Sequence, residues 1–238
     1  MATRHAGFIC TITHMYNEIL QNPERIQDIP NLYKFRAVFI PKKEKGYRPI
    51  AIQETLLLVF HKILTQRLRN QTKLNKNQMA FQKAAHTWCL LKVEQMRAKG
   101  KTLIQLDVQN AFNSIPHSAI HAELEKQGVS SNFIKYMKAF LKARHCKFAE
   151  EIKGGVPQGD PLSMLLFCLA IEPVMQTLIA KKYEFVEYAD DIVVGVDNVE
   201  QIKQFEQFAQ VEYTKIGLTI SQEKSMNTGG DNRILFMG

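Results

Sequence analysis

Two adjacent aspartates set between strand-forming residues constrain this chain more than any other feature. They lie in Glu184-Phe185-Val186-Glu187-Tyr188-Ala189-Asp190-Asp191-Ile192-Val193-Val194-Gly195. Short runs of such residues joined by a two-residue connection predict a tight β-hairpin with both carboxylates at its tip. Anions side by side raise each other's pKa unless a cation neutralises them. A hard divalent ion such as Mg²⁺, which takes oxygen ligands, is the natural counterpart. Taken alone, the pair also fits a solvated turn. A third carboxylate tips the balance: Asp107, at the end of a second apolar strand over 102–108, Thr-Leu-Ile-Gln-Leu-Asp-Val.

The remaining segments alternate helix and strand without a regular βαβ rhythm, which predicts an α+β fold. Helical periodicity runs over 8–20 and ends at Asn22-Pro23. Strands at 35–40 and 47–52 flank the polar connection Lys42-Lys43-Glu44-Lys45-Gly46 and predict a hairpin with a basic tip. Helices follow at 54–68, 84–99, 117–127 and 131–142. Gly154-Gly155-Val156-Pro157-Gln158-Gly159-Asp160-Pro161 is a loop whose glycines and prolines fix a tight path. An apolar helix from Leu162 to about Ala180 tolerates Pro173, and a last helix spans roughly 199–215.

Lys plus Arg number 31 against 23 Asp plus Glu, a net charge of +8, which favours a polyanionic partner, nucleic acid above all. Cys10, Cys89, Cys146 and Cys168 have no Cys-x-x-Cys spacing and read as free thiols in a reducing compartment. The apolar run Leu162 to Ile171 is too short to span a bilayer and no signal-peptide pattern opens the chain. The expectation is an intracellular protein, nuclear or cytoplasmic, with no membrane association.

Three motifs in this order carry a resemblance. Asp107-Val108-Gln109-Asn110-Ala111-Phe112, then Val156-Pro157-Gln158-Gly159-Asp160-Pro161-Leu162-Ser163, then Tyr188-Ala189-Asp190-Asp191 resemble the palm of a reverse transcriptase. Phe236-Met237-Gly238 resembles the opening of that family's primer-grip hairpin. Gly-Asp-Pro-Leu-Ser after Gln158 is similar to retrotransposons lacking long terminal repeats, while the hairpin alone would suit an intron maturase equally well. Asn113 departs from the Asp that retrotransposon relatives usually carry there.

The resemblance implies a right-hand polymerase with fingers at 1–101 and 118–152, a palm at 102–117 and 153–238, and no thumb within the chain. It implies RNA-directed DNA synthesis from deoxynucleoside triphosphates on an RNA template with a DNA primer. The cofactor would be two Mg²⁺ ions, with Mn²⁺ an alternative, on Asp107, Asp190 and Asp191. Lys42, Lys43 and Arg48 would contact the triphosphate, and Gln158 and Gly159 the nascent base pair. Phe112 would exclude ribose, Lys224 would protonate pyrophosphate, and Phe236, Met237 and Gly238 would hold the primer. Lys62, Arg67 and Arg69 form a candidate template track. A longer polyprotein would supply a thumb or endonuclease region. The competing expectation is a truncated or domesticated fragment that binds nucleic acid without polymerising; RNA synthesis is disfavoured by the bulk of Phe112.

Overall fold

The computed structural model describes residues 2–42, 46–143 and 154–229. In chain order the elements are α1 (Ala2–Gln21), a 3₁₀ turn (Pro23–Asp28), α2 (Pro30–Tyr33), β1 (Phe35–Pro41), β2 (Tyr47–Gln53) and α3 (Thr55–Gln71). Next come α4 (Ala85–Ala98), β3 (Thr102–Leu106), α5 (Ala111–Ser114), α6 (His117–Lys126), α7 (Ser131–Ala143) and α8 (Ser163–Ala180). The hairpin β4 (Glu184–Tyr188) and β5 (Asp191–Val196), then α9 (Gln201–Lys215) and β6 (Met226–Asn227), complete the order. All strand pairs are antiparallel, in sheets β1-β2 and β4-β5-β3-β6. That is the α+β class read from the sequence.

Two compact units result, Met1–Thr72 with Leu124–Leu165, and Lys73–Glu123 with Leu166–Gly238. In the first, the apolar positions of α3 recur at helical spacing, burying Leu57, Phe60, Leu64 and Leu68 on one face. Phe60 stacks on Tyr16 of α1 at 4.3 Å and meets Tyr136 of α7 edge-on at 5.4 Å. Such aromatic pairs add about 0.5–1.5 kcal/mol beyond the area they bury. On α7 the buried stripe Phe133, Ile134, Met137, Phe140 and Leu141 explains its amphipathic sequence.

In the second unit, strand alternation assigns the faces of the larger sheet. Leu103, Val186 and Val193 pack with Cys89, Val93 and Met96 of α4. Each such side chain contributes about 1.5–3 kcal/mol when fully buried. Gly195 lets α4 approach: a Cβ there would lie 3.1 Å from the Met96 sulfur. The opposite parity carries Ile104, Leu106, Phe185, Ile192 and Val194, all buried. Strand β3 ends at Leu106, earlier than the composition of 102–108 suggests. Beyond it, Val108 pairs only as an isolated bridge with Ile220.

The apolar run at 162–171 extends into an 18-residue helix, α8, long and apolar enough to cross a membrane by length and composition. The helix matches the span read from Leu162 to about Ala180; the comparison with a bilayer counts only the contiguous apolar run to Ile171, and the apolar character continues past Pro173. Yet 67% of this helix is buried inside the protein. It also carries buried Glu172, bonded by Asn75, which fits a core helix. Cys10, Cys89 and Cys168 are free thiols; Cys146 lies outside the described residues.

Candidate active site

The sheet register brings the aspartates to one end. Leu106 pairs with Ile192, so Asp107 leaves β3 one step beyond the ladder, where β5 begins with Asp191. Across the hairpin Tyr188 pairs with Asp191, leaving Ala189 and Asp190 as the two turn residues. Asp191 is pushed up from 3.8 to about 6, first by burial and then by the negative charges of Asp190 and Asp107. Successive side chains on a strand face opposite ways. Accordingly the charge of Asp191 is felt by Cys89 on α4, and that of Asp190 by Cys168 on α8 and Tyr213 on α9.

Among the described residues no group of three or more His, Cys, Asp or Glu is arranged to hold a metal ion. The donor set nevertheless suits one chemically. Three carboxylates supply hard oxygen ligands, and Asp191, pushed up first by burial and then by the charges of Asp190 and Asp107, is a group whose ionised form a divalent cation would stabilise.

The backbone of Asp107 is tied on both sides to one turn. Its N–H donates to Ser225 Oγ at 3.2 Å, and its carbonyl accepts from Ser221 N–H at 2.7 Å. Ser225 N–H closes the turn onto Ser221 O at 3.0 Å. Exposed Lys224 rides on this turn, so the structure brings its backbone beside that of Asp107. Phe112, half-buried on α5, stacks on buried Phe167 of α8 at 4.8 Å and 22°. Asn113 is exposed.

The other unit brings together the strand of Arg48 and the Pro-Gln-Gly loop. Ala51 N–H donates to Gln158 O at 2.8 Å. Gly159 has φ +112°, and a Cβ there would stand 2.8 Å from the Ala51 carbonyl oxygen, so only glycine fits without displacement. Arg48 and Lys42 are exposed on the basic hairpin, as are Lys62, Arg67 and Arg69 on α3. Lys43, Phe236, Met237 and Gly238 lie outside the described residues.

Sequence reasoning missed what holds that loop. Asp160 Oδ2 accepts from His61 Nδ1, and His61 Nε2 accepts from Tyr136 Oη at 2.6 Å, with His61 and Asp160 side chains fully buried. Burial pushes the Tyr136 phenol up, which favours the protonated donor that this geometry uses. Asp160 Oδ1 accepts from Leu162 N–H at 2.7 Å, and Ser163 Oγ donates to Pro157 O at 2.7 Å. A lone histidine at a helical core position gave no signal of this role. Also missed were Asn75 and Glu187: Asn75 Nδ2 donates to Glu187 Oε1 at 2.6 Å and to Glu172 Oε2 at 3.0 Å. Glu187 is pushed up to about 8 by burial, offset in part by that bond from Asn75.

In the sheet unit the carboxylates gather at the strand ends; in the other unit a glycine loop lies against the basic hairpin. Residues 40–238 match the family described as reverse transcriptase (RNA-dependent DNA polymerase), and the chain belongs to it. It resembles the Pol proteins of R2-type non-LTR retrotransposons. Over 224 residues it is 29% identical to the Retrovirus-related Pol polyprotein from type-1 retrotransposable element R2 of Nasonia vitripennis, covering 81% of this chain and 21% of that one. Over 163 residues it is 28% identical to the counterpart from type-2 element R2DM of Drosophila melanogaster, covering 60% and 15%. The chain thus spans about a fifth or less of these relatives. Among solved structures, telomerase from Candida albicans shares the fold, with TM-score 0.62, 12% identity, and coverage of 85% of this chain and 44% of that one.

Proposed function

We propose that this domain carries out RNA-templated DNA synthesis for a non-LTR-type retroelement, with fingers at 1–101 and 118–152 and a palm at 102–117 and 153–238. The reading rests on one observation above the others. In a chain of this family, the β3–β5 register delivers Asp107 and the Asp190-Asp191 pair to the same end of one sheet.

Asp107 and Asp190, assisted by Asp191, are the residues that would hold two Mg²⁺ ions, or Mn²⁺, whose chemistry when bound is to neutralise charge at the reacting oxygens. The family assignment implies such a divalent-metal mechanism in general. The protein's own groups bind and orient the substrates. Arg48, Lys42 and Lys43 pair with the triphosphate through charge-assisted bonds. Gln158 and Gly159 offer a flat surface to the nascent base pair. Phe112, backed by Phe167, is a wall against the 2′ hydroxyl. Lys224 holds a proton for the leaving pyrophosphate. Lys62, Arg67 and Arg69 bind template phosphates. By the resemblance, Phe236, Met237 and Gly238 contact the DNA primer.

Primer extension on RNA and DNA templates tests the reading. Asp107→Asn and Asp190→Asn are expected to lose at least about a hundredfold in rate, with template affinity within about threefold because phosphate contacts supply it. Wild-type rates in both variants would remove the metal assignment. A wild-type chain that binds RNA but never extends a primer would point to the domesticated-fragment reading.

A further inference from the structure

The strand order leaves β4 at an edge of the larger sheet, and the segment before α4 covers it. Glu187 N–H donates to Asn77 O at 3.0 Å and Met79 N–H donates to Glu187 O at 2.9 Å, so Gln78 lies beside Glu187 as a parallel bridge. The base of this clasp is anchored by Asn75, which bonds Glu172, Glu187 and, through Oδ1, the N–H of Asn77 at 2.9 Å.

At its centre Gln78 is 4% exposed. Its Oε1 accepts from Ala80 N–H at 3.0 Å and from Ala189 N–H at 3.1 Å. Both contacts are donors, so the oxygen must face them and the orientation of the amide is settled. Nε2 is then buried without a partner among the described residues. A methionine of similar length would not carry that unmet donor. The oxygen's work accounts for the cost.

That work is at the hairpin tip. Ala189, the first turn residue, has φ +54°, a conformation in which a Cβ is strained and which glycine or asparagine adopts more readily. Ala189 is 5% exposed and its N–H lies outside the β4–β5 ladder. Asp190 and Asp191 follow immediately.

We propose that Gln78 is a positioning residue for the catalytic hairpin: its amide oxygen holds Ala189 left-handed and thereby sets where the Asp190 and Asp191 carboxylates stand. The effect on turnover rests on the polymerase reading; the contact itself does not. Three measurements test it. In Gln78→Met, amide hydrogen exchange at Ala189 is expected to accelerate about tenfold, while Met79, bonded to the Glu187 carbonyl, stays within about threefold. The kcat for extension is expected to fall about tenfold or more with little change in nucleotide KM, since small misplacements of reacting groups act on turnover. Adding Ala189→Gly, which removes the strain that Gln78 offsets, is expected to recover most of the lost kcat. Gln78→Glu, which keeps the acceptor, is the second variant should methionine impair folding; Ala189 must stay protected there.

Unchanged exchange at Ala189 in Gln78→Met, equal loss at Ala189 and Met79, or no recovery with glycine would each reduce Gln78 to a packing residue. If the wild-type chain proves inactive, the polymerase reading fails separately. The exchange measurements then still decide the clasp.

Discussion

In the unit built on the four-stranded sheet, Asp107 and Asp191 leave directly from strand ends, and backbone register sets their spacing. In the other unit, Gln158 and Gly159 sit in a loop, held by a buried Asp160–His61–Tyr136 relay and by one backbone bond from Ala51. The first arrangement places like charges together at a partly buried sheet end, and Asp191 is pushed up first by that burial and then by the charges of Asp190 and Asp107. The second buries its polar groups with every one of the three engaged. Carboxylates at the sheet end should therefore tolerate neutralisation without loss of stability, whereas the loop should not tolerate loss of its anchor.

The largest expected effect follows from that contrast. Asp160→Ala strips a partner from fully buried His61 and removes the acceptor of Leu162 N–H. Leaving the buried His61 Nδ1–H and the Leu162 N–H without an acceptor costs about 1–3 kcal/mol each, readable by chemical denaturation. Asp160→Asn keeps an oxygen for His61 and is expected to lose less than half as much. Asp190→Asn relieves repulsion on Asp191 and should leave stability equal or higher. A strong loss in Asp190→Asn, or none in Asp160→Ala, would invert the comparison.

A smaller effect concerns pH. Glu187 titrates at about 8 in the folded protein against an ordinary 4.5, so the folded state keeps a proton that the unfolded chain releases. The stability this contributes is complete below about pH 4.5 and is lost as pH rises through about 8. Glu187→Gln, which preserves an acceptor for Asn75, should flatten that decline and stabilise the protein at pH 8.5 by roughly 1–3 kcal/mol. Denaturation curves at pH 5, 7 and 8.5 for both proteins would show it. Parallel declines in the two would mean that Glu187 is ionised in the fold.

What was legible in the sequence divides along the same line. Periodicity placed α3, α7 and α9, and alternation placed β1, β2, β4 and β5, because local pattern and burial agree there. The hairpin and Asp107 were legible because charge at the end of an apolar run is rare. The side-chain ties were not legible. His61 is separated from Asp160 by 99 positions, and Gln78 from Ala189 by 111. Each also sits in a context that local pattern treats as ordinary: a helix core and a polar connection. The short β6 escaped because two residues carry no alternation; it exists through pairing with Ile104 and Gln105.

The smallest expected effect separates sugar selection from triphosphate binding. Phe112 is fixed by stacking on Phe167, within the unit that carries the aspartates. Arg48 stands exposed on β2 of the other unit. On the proposed reading, replacing Phe112 by Val would open space that only a ribose hydroxyl would use, so the gain would belong to ribonucleotides. Pocket volume of this order is worth about 1–3 kcal/mol in discrimination, and the ratio of kcat/KM for deoxynucleotide over ribonucleotide should fall roughly 10- to 100-fold. On the proposed reading, Arg48→Ala would remove triphosphate contacts that both substrates share, so KM should rise for both with the ratio unchanged. A changed sugar ratio in Arg48→Ala would mean that Arg48 reads the sugar as well as the phosphates. An unchanged ratio in a folded Phe112→Val would leave Phe112 as packing for α8, and sugar selection would have to come from elsewhere in the chain.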